Sequence, residues 1–195
     1  MNKLMGFFEL QTMSLPSIPW KEYTGREYLQ DELLWTVRSA VFHGNDLNLP
    51  RLVGVNSKEA KEFANQLLEK LAGEGIVIFY PYFIANKSGT LEVKQDKVII
   101  EAVKADLWNM VTLSDRDVTI QYDDDNEIIN GDGLFLSGDE KKCLLNNVKE
   151  IKKTFRDDLL EGKSILLEWS FAQNCDENKE PVGDEYLVFY EARTV

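Results

Sequence analysis

The sequence predicts an α+β fold: a largely antiparallel sheet of about six to eight strands with two main helices against one face. Three observations carry that expectation. The final stretch places Ser164-Ile-Leu-Leu-Glu-Trp-Ser-Phe-Ala-Gln173 opposite Glu185-Tyr-Leu-Val-Phe-Tyr-Glu-Ala-Arg193, with loop chemistry from Asn174 to Asp184 between them, and so reads as an antiparallel hairpin. Thr90 to Val93 and Lys97 to Val103 are strand-like runs joined at Gln95-Asp96, which is a meander. Phe63, Leu67, Leu68 and Leu71, and again Leu144, Val148, Ile151, Phe155 and Leu159, recur at helical spacing.

Taken in order, residues 1–32 contain Pro16 and Pro19 with scattered aromatics and no sustained period, so they are expected to form an N-terminal arm anchored by Trp20 and Tyr23. Residues 33–195 are expected to form a single domain, since no low-complexity linker interrupts them. Leu33 to Ser39 predicts a strand with Thr36 and Arg38 on one face and Leu33, Trp35 and Val37 on the other. On the first face Arg38 can either hold an anion with its planar fork or form a salt bridge with one of the many acids.

Ala40 to Asn56 is loop-like, and its His43, the one histidine of the chain, reads as an ordinary loop residue. Ser57 is expected to cap a helix from Lys58 to Ala72, closed by Gly73. Ile76 to Ile84 is apolar on both faces, as a central strand would be, with pairing expected to stop or bulge at Pro81. Ser88-Gly89 reads as a turn into the meander. Val118 to Tyr122 and Glu127 to Ile129 flank a solvated Asp123-Asp-Asp-Asn126 turn, which lacks the spacing of a calcium loop. Ser137 with Glu140 three residues on is a capping box for a helix running to about Leu160.

In the terminal hairpin, strict alternation puts Leu166, Glu168 and Ser170 on one face, and Leu187, Phe189, Glu191 and Arg193 together on a face of the returning strand. Carboxylates among apolar neighbours cost free energy unless a cation or donor compensates them. Glu168, Glu191 and Arg193 therefore suggest a metal or anion site, or else an exposed edge made soluble by its charges.

A net charge of −12 argues against a nucleic-acid partner, because affinity for phosphate backbones comes from lysine and arginine. No window approaches the roughly 18 apolar residues of a membrane span. Two cysteines, Cys143 and Cys175, make no disulfide framework, and Glu9 cuts short the apolar run Leu4 to Phe8, so neither a membrane association nor a signal peptide is expected. The expected compartment is a reducing cytoplasm.

Leu166-Leu-Glu-Trp169 followed by Tyr190-Glu-Ala-Arg193 resembles the D-I-E-W and Q-x-R-P segments that close the ATP-binding domain of the phosphoenolpyruvate synthase and pyruvate phosphate dikinase family. Val77 to Gly89 is similar to its V-V-V-Q-x-M-V-x-A-D-x-S-G, Ile100-Glu-Ala-Val103 to its I-E-A-V, and Leu34-Trp-Thr-Val-Arg-Ser39 with Asn45-Asp46 and Leu49-Pro50 to its A-V-R-S-S and following acidic and L-P stretch. The family's glycine-rich lysine segment has no counterpart, and Ala105-Asp-Leu-Trp-Asn-Met110 stands where it has G-L-G-E. The resemblance implies an ATP-grasp-like fold binding ATP or another nucleotide with magnesium. On it, Arg38, Tyr80, Tyr82, Glu101 and Arg193 would contact nucleotide, and Glu168 and Glu191 would hold the metal. Tyr80 and Tyr82 would stack on the purine or simply fill its pocket. The alternative is a degenerate, non-catalytic module that acts as a protein partner or as a homodimer.

Overall fold

The computed structural model describes residues 3–43, 49–107, 110, 115–123 and 126–195. The expectations for Asn45, Asp46, Trp108, Asn109, Asp124 and Asp125 lie outside the described residues. The architecture is α+β with two mostly antiparallel sheets. The smaller contains β1 (Lys21–Tyr23), β2 (Trp35–Val41), β3 (Arg51–Val55) and β4 (Gly75–Pro81) in the order β1-β4-β2-β3. The larger contains β5 (Phe83–Val93), β6 (Lys97–Lys104), β7 (Val118–Asp123), β8 (Asn126–Gly131), β9 (Ile165–Cys175) and β10 (Pro181–Thr194) in the order β10-β9-β5-β6-β7-β8. Pairing of β4 with β2 ends at Pro81 opposite Trp35, and the chain passes to the other sheet at Tyr82, whose N–H donates to the Leu34 carbonyl at 2.8 Å.

Three apolar layers organise the molecule. Behind the small sheet, helix α2 (Ser57–Leu71) lays Ala60, Ala64 and Leu67 against Trp35, Val37, Val77 and Phe79. Its cap is Asn56, whose side chain accepts from the Glu59 N–H at 2.9 Å. Ser57, expected in that role, instead turns its hydroxyl to the Asp31 carboxylate. Between the sheets, Phe7, Ile18 and Trp20 pack with Ile76, Ile78 and Tyr80 of the small sheet and Ala172 and Val188 of the large one. Here the first residues, which carry no periodic signal, form helix α1 (Lys3–Thr12), seated against β10 and β2, and the short strand β1. Gly6 permits that approach: a Cβ there would lie 2.2 Å from the Ala192 carbonyl oxygen.

Behind the large sheet, Leu91, Ile100, Ile120, Leu167, Trp169 and Phe189 are sealed by Leu144, Ile151, Phe155 and Leu159. Leu144, Ile151 and Leu159 come from α3 (Gly138–Leu145), α4 (Val148–Thr154) and α5 (Arg156–Leu160), and Phe155 is the junction between the last two. The capping box of Ser137 and Glu140 is present, but the single helix expected to reach Leu160 is broken twice. At the first break the Asn147 side chain donates to the Cys143 carbonyl at 2.8 Å and competes with the backbone for it. The buried stripe survives because each piece keeps its apolar face toward the same sheet. The expected turn at Ser88-Gly89 is absent, and both residues lie within β5. Ser88 is fully buried with its hydroxyl 2.8 Å from that of Ser170, and Gly89 lies under Trp169, where a Cβ would meet the indole at 2.5 Å. Both small residues are there to admit neighbours.

No helix among the described residues is long and apolar enough to cross a membrane.

Candidate functional site

A cleft of about 620 Å³ opens between the inner faces of the two sheets. The small sheet supplies Thr36 and Arg38 from β2, Arg51 and Val53 from β3, and Tyr80 from β4. The crossing segment supplies Tyr82 and Phe83, and the large sheet supplies Ser88, Glu168, Ser170 and Tyr190. Ala105, Asp106 and Leu107, just after β6, close one side. The aromatic residues gather where the chain changes sheets: Tyr80 and Phe83 are stacked at 6.5 Å between centroids, and the Lys179 ammonium lies 5.7 Å from the centre of the Tyr82 ring. Burial, then the neighbouring Cys175 and Asp106, raises the Tyr82 pKa. The Tyr82 phenol therefore stays neutral and hydrogen-bonding across the physiological range.

On the cleft face of the large sheet, ladder pairing sets Glu191, Glu168, Thr90, Glu101 and Thr119 side by side across five strands. Glu191 opposes Glu168, but it does not share the face with Phe189 that strict alternation along the strand predicts. A β-bulge intervenes: Phe189 pairs with Trp169 and Glu191 with Glu168, which leaves Tyr190 as the extra residue. The inserted residue inverts the alternation. Leu187 and Phe189 thus belong to the core behind the sheet, whereas Glu191 and Arg193 stand on the cleft side.

Charge on this face is internally matched. The Arg193 Nη2 lies 3.7 Å from Glu168 Oε1, and the Glu168 side chain is 14% exposed. Glu191 is 1% exposed. Burial lowers the Arg38 pKa, but the Tyr80 hydroxyl, which accepts a hydrogen bond from it, together with Glu191 and Glu168, outweighs that cost and leaves the pKa raised. The guanidinium also lies over the Phe7 ring, 5.4 Å from its centre. Tyr190 has its pKa driven well up, first by burial and then by Glu168, against the opposing effects of its hydrogen bond to Ser170 and the charge of Arg38. It is a neutral phenol at the centre of the charged group.

Of the residues singled out from sequence, Arg38, Tyr80, Tyr82 and Glu168 line one cleft, and Glu191 and Arg193 adjoin it. Glu101 does not reach it. That carboxylate accepts from Thr90 Oγ1 at 3.2 Å and from the Arg116 guanidinium, two strands away from Glu168. No group of three or more His, Cys, Asp or Glu side chains suited to a metal gathers among the described residues. Arg51, Tyr190, Ser170 and Asp106 were not foreseen. Arg51 directly follows the Leu49-Pro50 pair and Tyr190 opens the Tyr-Glu-Ala-Arg segment, so both lay beside the signals that were read.

No protein-family model and no curated protein matches this chain. Among solved structures it is similar to N5-carboxyaminoimidazole synthetase from Staphylococcus aureus, with a TM-score of 0.54, 11% identity, and coverage of 98% of this chain and 43% of that one. It is also similar to the ADP complex of N5-carboxyaminoimidazole ribonucleotide synthetase, with a TM-score of 0.55, 11% identity, and coverage of 98% and 44%. The chain spans less than half the length of these proteins. At such identity the likeness is one of fold alone: the fold is ATP-grasp-like. It does not extend to the finer kinship that the motifs suggested.

Proposed function

We propose that the cleft binds ATP or another nucleotide, its base against Tyr80, Tyr82 and Phe83 and its phosphates toward Arg38, in a divergent relative of the phosphoenolpyruvate synthase and pyruvate phosphate dikinase nucleotide-binding domain. The observation that carries this reading is the cleft itself, with aromatic rings at the sheet crossing and guanidinium groups on the adjoining strands. One neighbour of the same fold is a complex with ADP. An aromatic end and a cationic end separated along one groove match the two halves of a nucleotide.

Magnesium is implied at Glu168 and Glu191. The donor set fits an ion that arrives with phosphate oxygens, since magnesium is ordinarily held by one or two carboxylates and completes its shell with phosphate and water. Glu168 opens on the cleft and Glu191 is its cross-strand neighbour. When bound, the ion would neutralise phosphate charge. The chain's own residues do the rest: Arg38 is held in place by Tyr80 and Phe7, and Tyr190 and Ser170 offer neutral hydroxyls beside it.

Calorimetric titration with adenosine, AMP, ADP and ATP, with and without magnesium, tests the reading. Binding that is lost in Arg38→Met supports it, and no heat with any ligand at millimolar concentration removes it. Then the second reading stands, a non-catalytic module that pairs with a protein or with itself. It is favoured by β8, an edge strand exposed throughout that carries Ile128 and Ile129, and by the 91% exposed Leu134 beyond it.

A further inference from the structure

Arg38 and Arg51 are direct cross-strand partners in the small sheet, and both line the cleft. Side chains so placed have their Cβ atoms about 5 Å apart, and like charges in that position repel. The register that enforces the juxtaposition is locked next to it. The Pro50 carbonyl accepts both the Ser39 N–H at 3.2 Å and the Ser39 hydroxyl at 3.0 Å, so β3 cannot slide to separate the two cations. Between Leu52 and Val55 β3 bulges, with Gly54 at φ +65°, and Val53 lines the same cleft.

The two arginines differ in their settings. Arg38 is fixed by the Tyr80 hydroxyl, the Phe7 ring and the charges of Glu191 and Glu168. Arg51 stands at the start of its strand, exposed at the cleft wall. Two guanidinium groups side by side on a cleft wall suit a tetrahedral dianion, which can accept paired hydrogen bonds from both. An anion between them also turns their repulsion into attraction.

We propose that Arg38 and Arg51 form a two-guanidinium clamp on a phosphoryl group of the bound nucleotide, which makes Arg51 a binding residue of this site. The inference rests on the nucleotide reading and gives it a direction: phosphate on the β2–β3 wall, base at the sheet crossing. The clamp also supplies positive charge to a chain that has no lysine-bearing glycine loop.

The test measures affinity for adenosine, AMP and ADP in the wild type, Arg51→Met and Arg51→Lys, together with the melting temperature of each protein without ligand. The clamp predicts that Arg51→Met loses about tenfold or more in ADP affinity while its affinity for adenosine is unchanged. Arg51→Lys keeps charge without the fork and should fall between. The melting temperatures without ligand separate a loss of binding from a loss of the fold, and affinities are compared at a temperature where every variant is folded. ADP affinity in Arg51→Met and Arg51→Lys within about twofold of the wild type would overturn the clamp and leave the nucleotide reading standing. A lowered melting temperature with unchanged ADP affinity would assign Arg51 to the fold and overturn it equally. If wild-type protein binds neither adenosine nor any nucleotide, the nucleotide reading falls and the clamp with it.

Discussion

Lys87 and Glu140 show how single residues join distant parts of this chain. The ammonium lies 2.7 and 2.8 Å from the two carboxylate oxygens and 5.4 Å from the Phe135 ring centre, tying β5 to the first turn of α3. Burial raises the Glu140 pKa, but Lys87 and the Ser137 backbone and hydroxyl outweigh that and hold it below its ordinary value of 4.5. A depressed carboxylate contributes stability above its unfolded pKa and loses it as pH falls through the folded one. Lys87→Met should therefore cost about 1 to 2 kcal/mol at neutral pH in urea unfolding, and the difference from wild type should shrink below about pH 4. An equal difference at pH 7 and pH 3 would show that packing, not charge, carries the contact. Gly89 makes a steric counterpart. Gly89→Ala would drive a methyl into Trp169 and the Glu101 carbonyl, and we expect a loss of about 2 kcal/mol or more by the same assay.

Among elements, α1 is the one with no periodic signature, yet it places Phe7 and Leu10 in two different core layers. Its seat on β10 depends on Gly6, so Gly6→Ala should lift the helix from Ala192. The expected result is a fall in thermal stability with faster exchange of the α1 amides than of those in α2; uniform protection in the variant would show that the helix tolerates the methyl. Helices α3 to α5 teach a different lesson. Their apolar spacing was legible in full, because the period of the buried face persists across the breaks. The breaks were not: the first depends on where the Asn147 side chain turns and the second on the non-helical backbone of Phe155, and sequence spacing records neither.

For the whole molecule, the antiparallel pairing, the strand faces of β2, the two helical regions and the meander were legible, since each rests on local periodicity, whereas the two helices expected on one face lie behind different sheets. The division into two sheets was legible only in part: Pro81 marks where pairing ends, but no local spacing tells that the chain then enters a second sheet. The site was half legible for the same reason. Arg38 and Glu168 follow from alternation within a strand, whereas Arg51 enters through a cross-strand pairing and Tyr190 through a bulge. A boundary at residue 32 remains our proposal, and truncation examines it. Residues 33–195 alone should keep β-sheet circular dichroism but unfold at lower urea, since Phe7, Ile18 and Trp20 no longer fill the layer between the sheets. A truncated chain as stable as the full one would make the arm an ornament. We also expect no pyruvate-dependent release of AMP from ATP by this chain, because the lysine-bearing phosphate loop of the family it resembles has no counterpart here. Release above that of a Glu168→Gln control would refute this.

The extra residue at position 190 acts as a phase shift written into the last strand. On its two sides the same alternating code is read with opposite polarity, and the strand can answer to oily neighbours at one end and charged ones at the other. Losing one codon there would leave Phe189 opposite Trp169 and Glu191 opposite Glu168 in an unbroken ladder, so Glu191 and Arg193 would keep the cleft side and Ala192 the core side. What position 190 adds is thus a side chain and not a facing: the ladder would close without it, and the cleft would lose the phenol that meets Ser170.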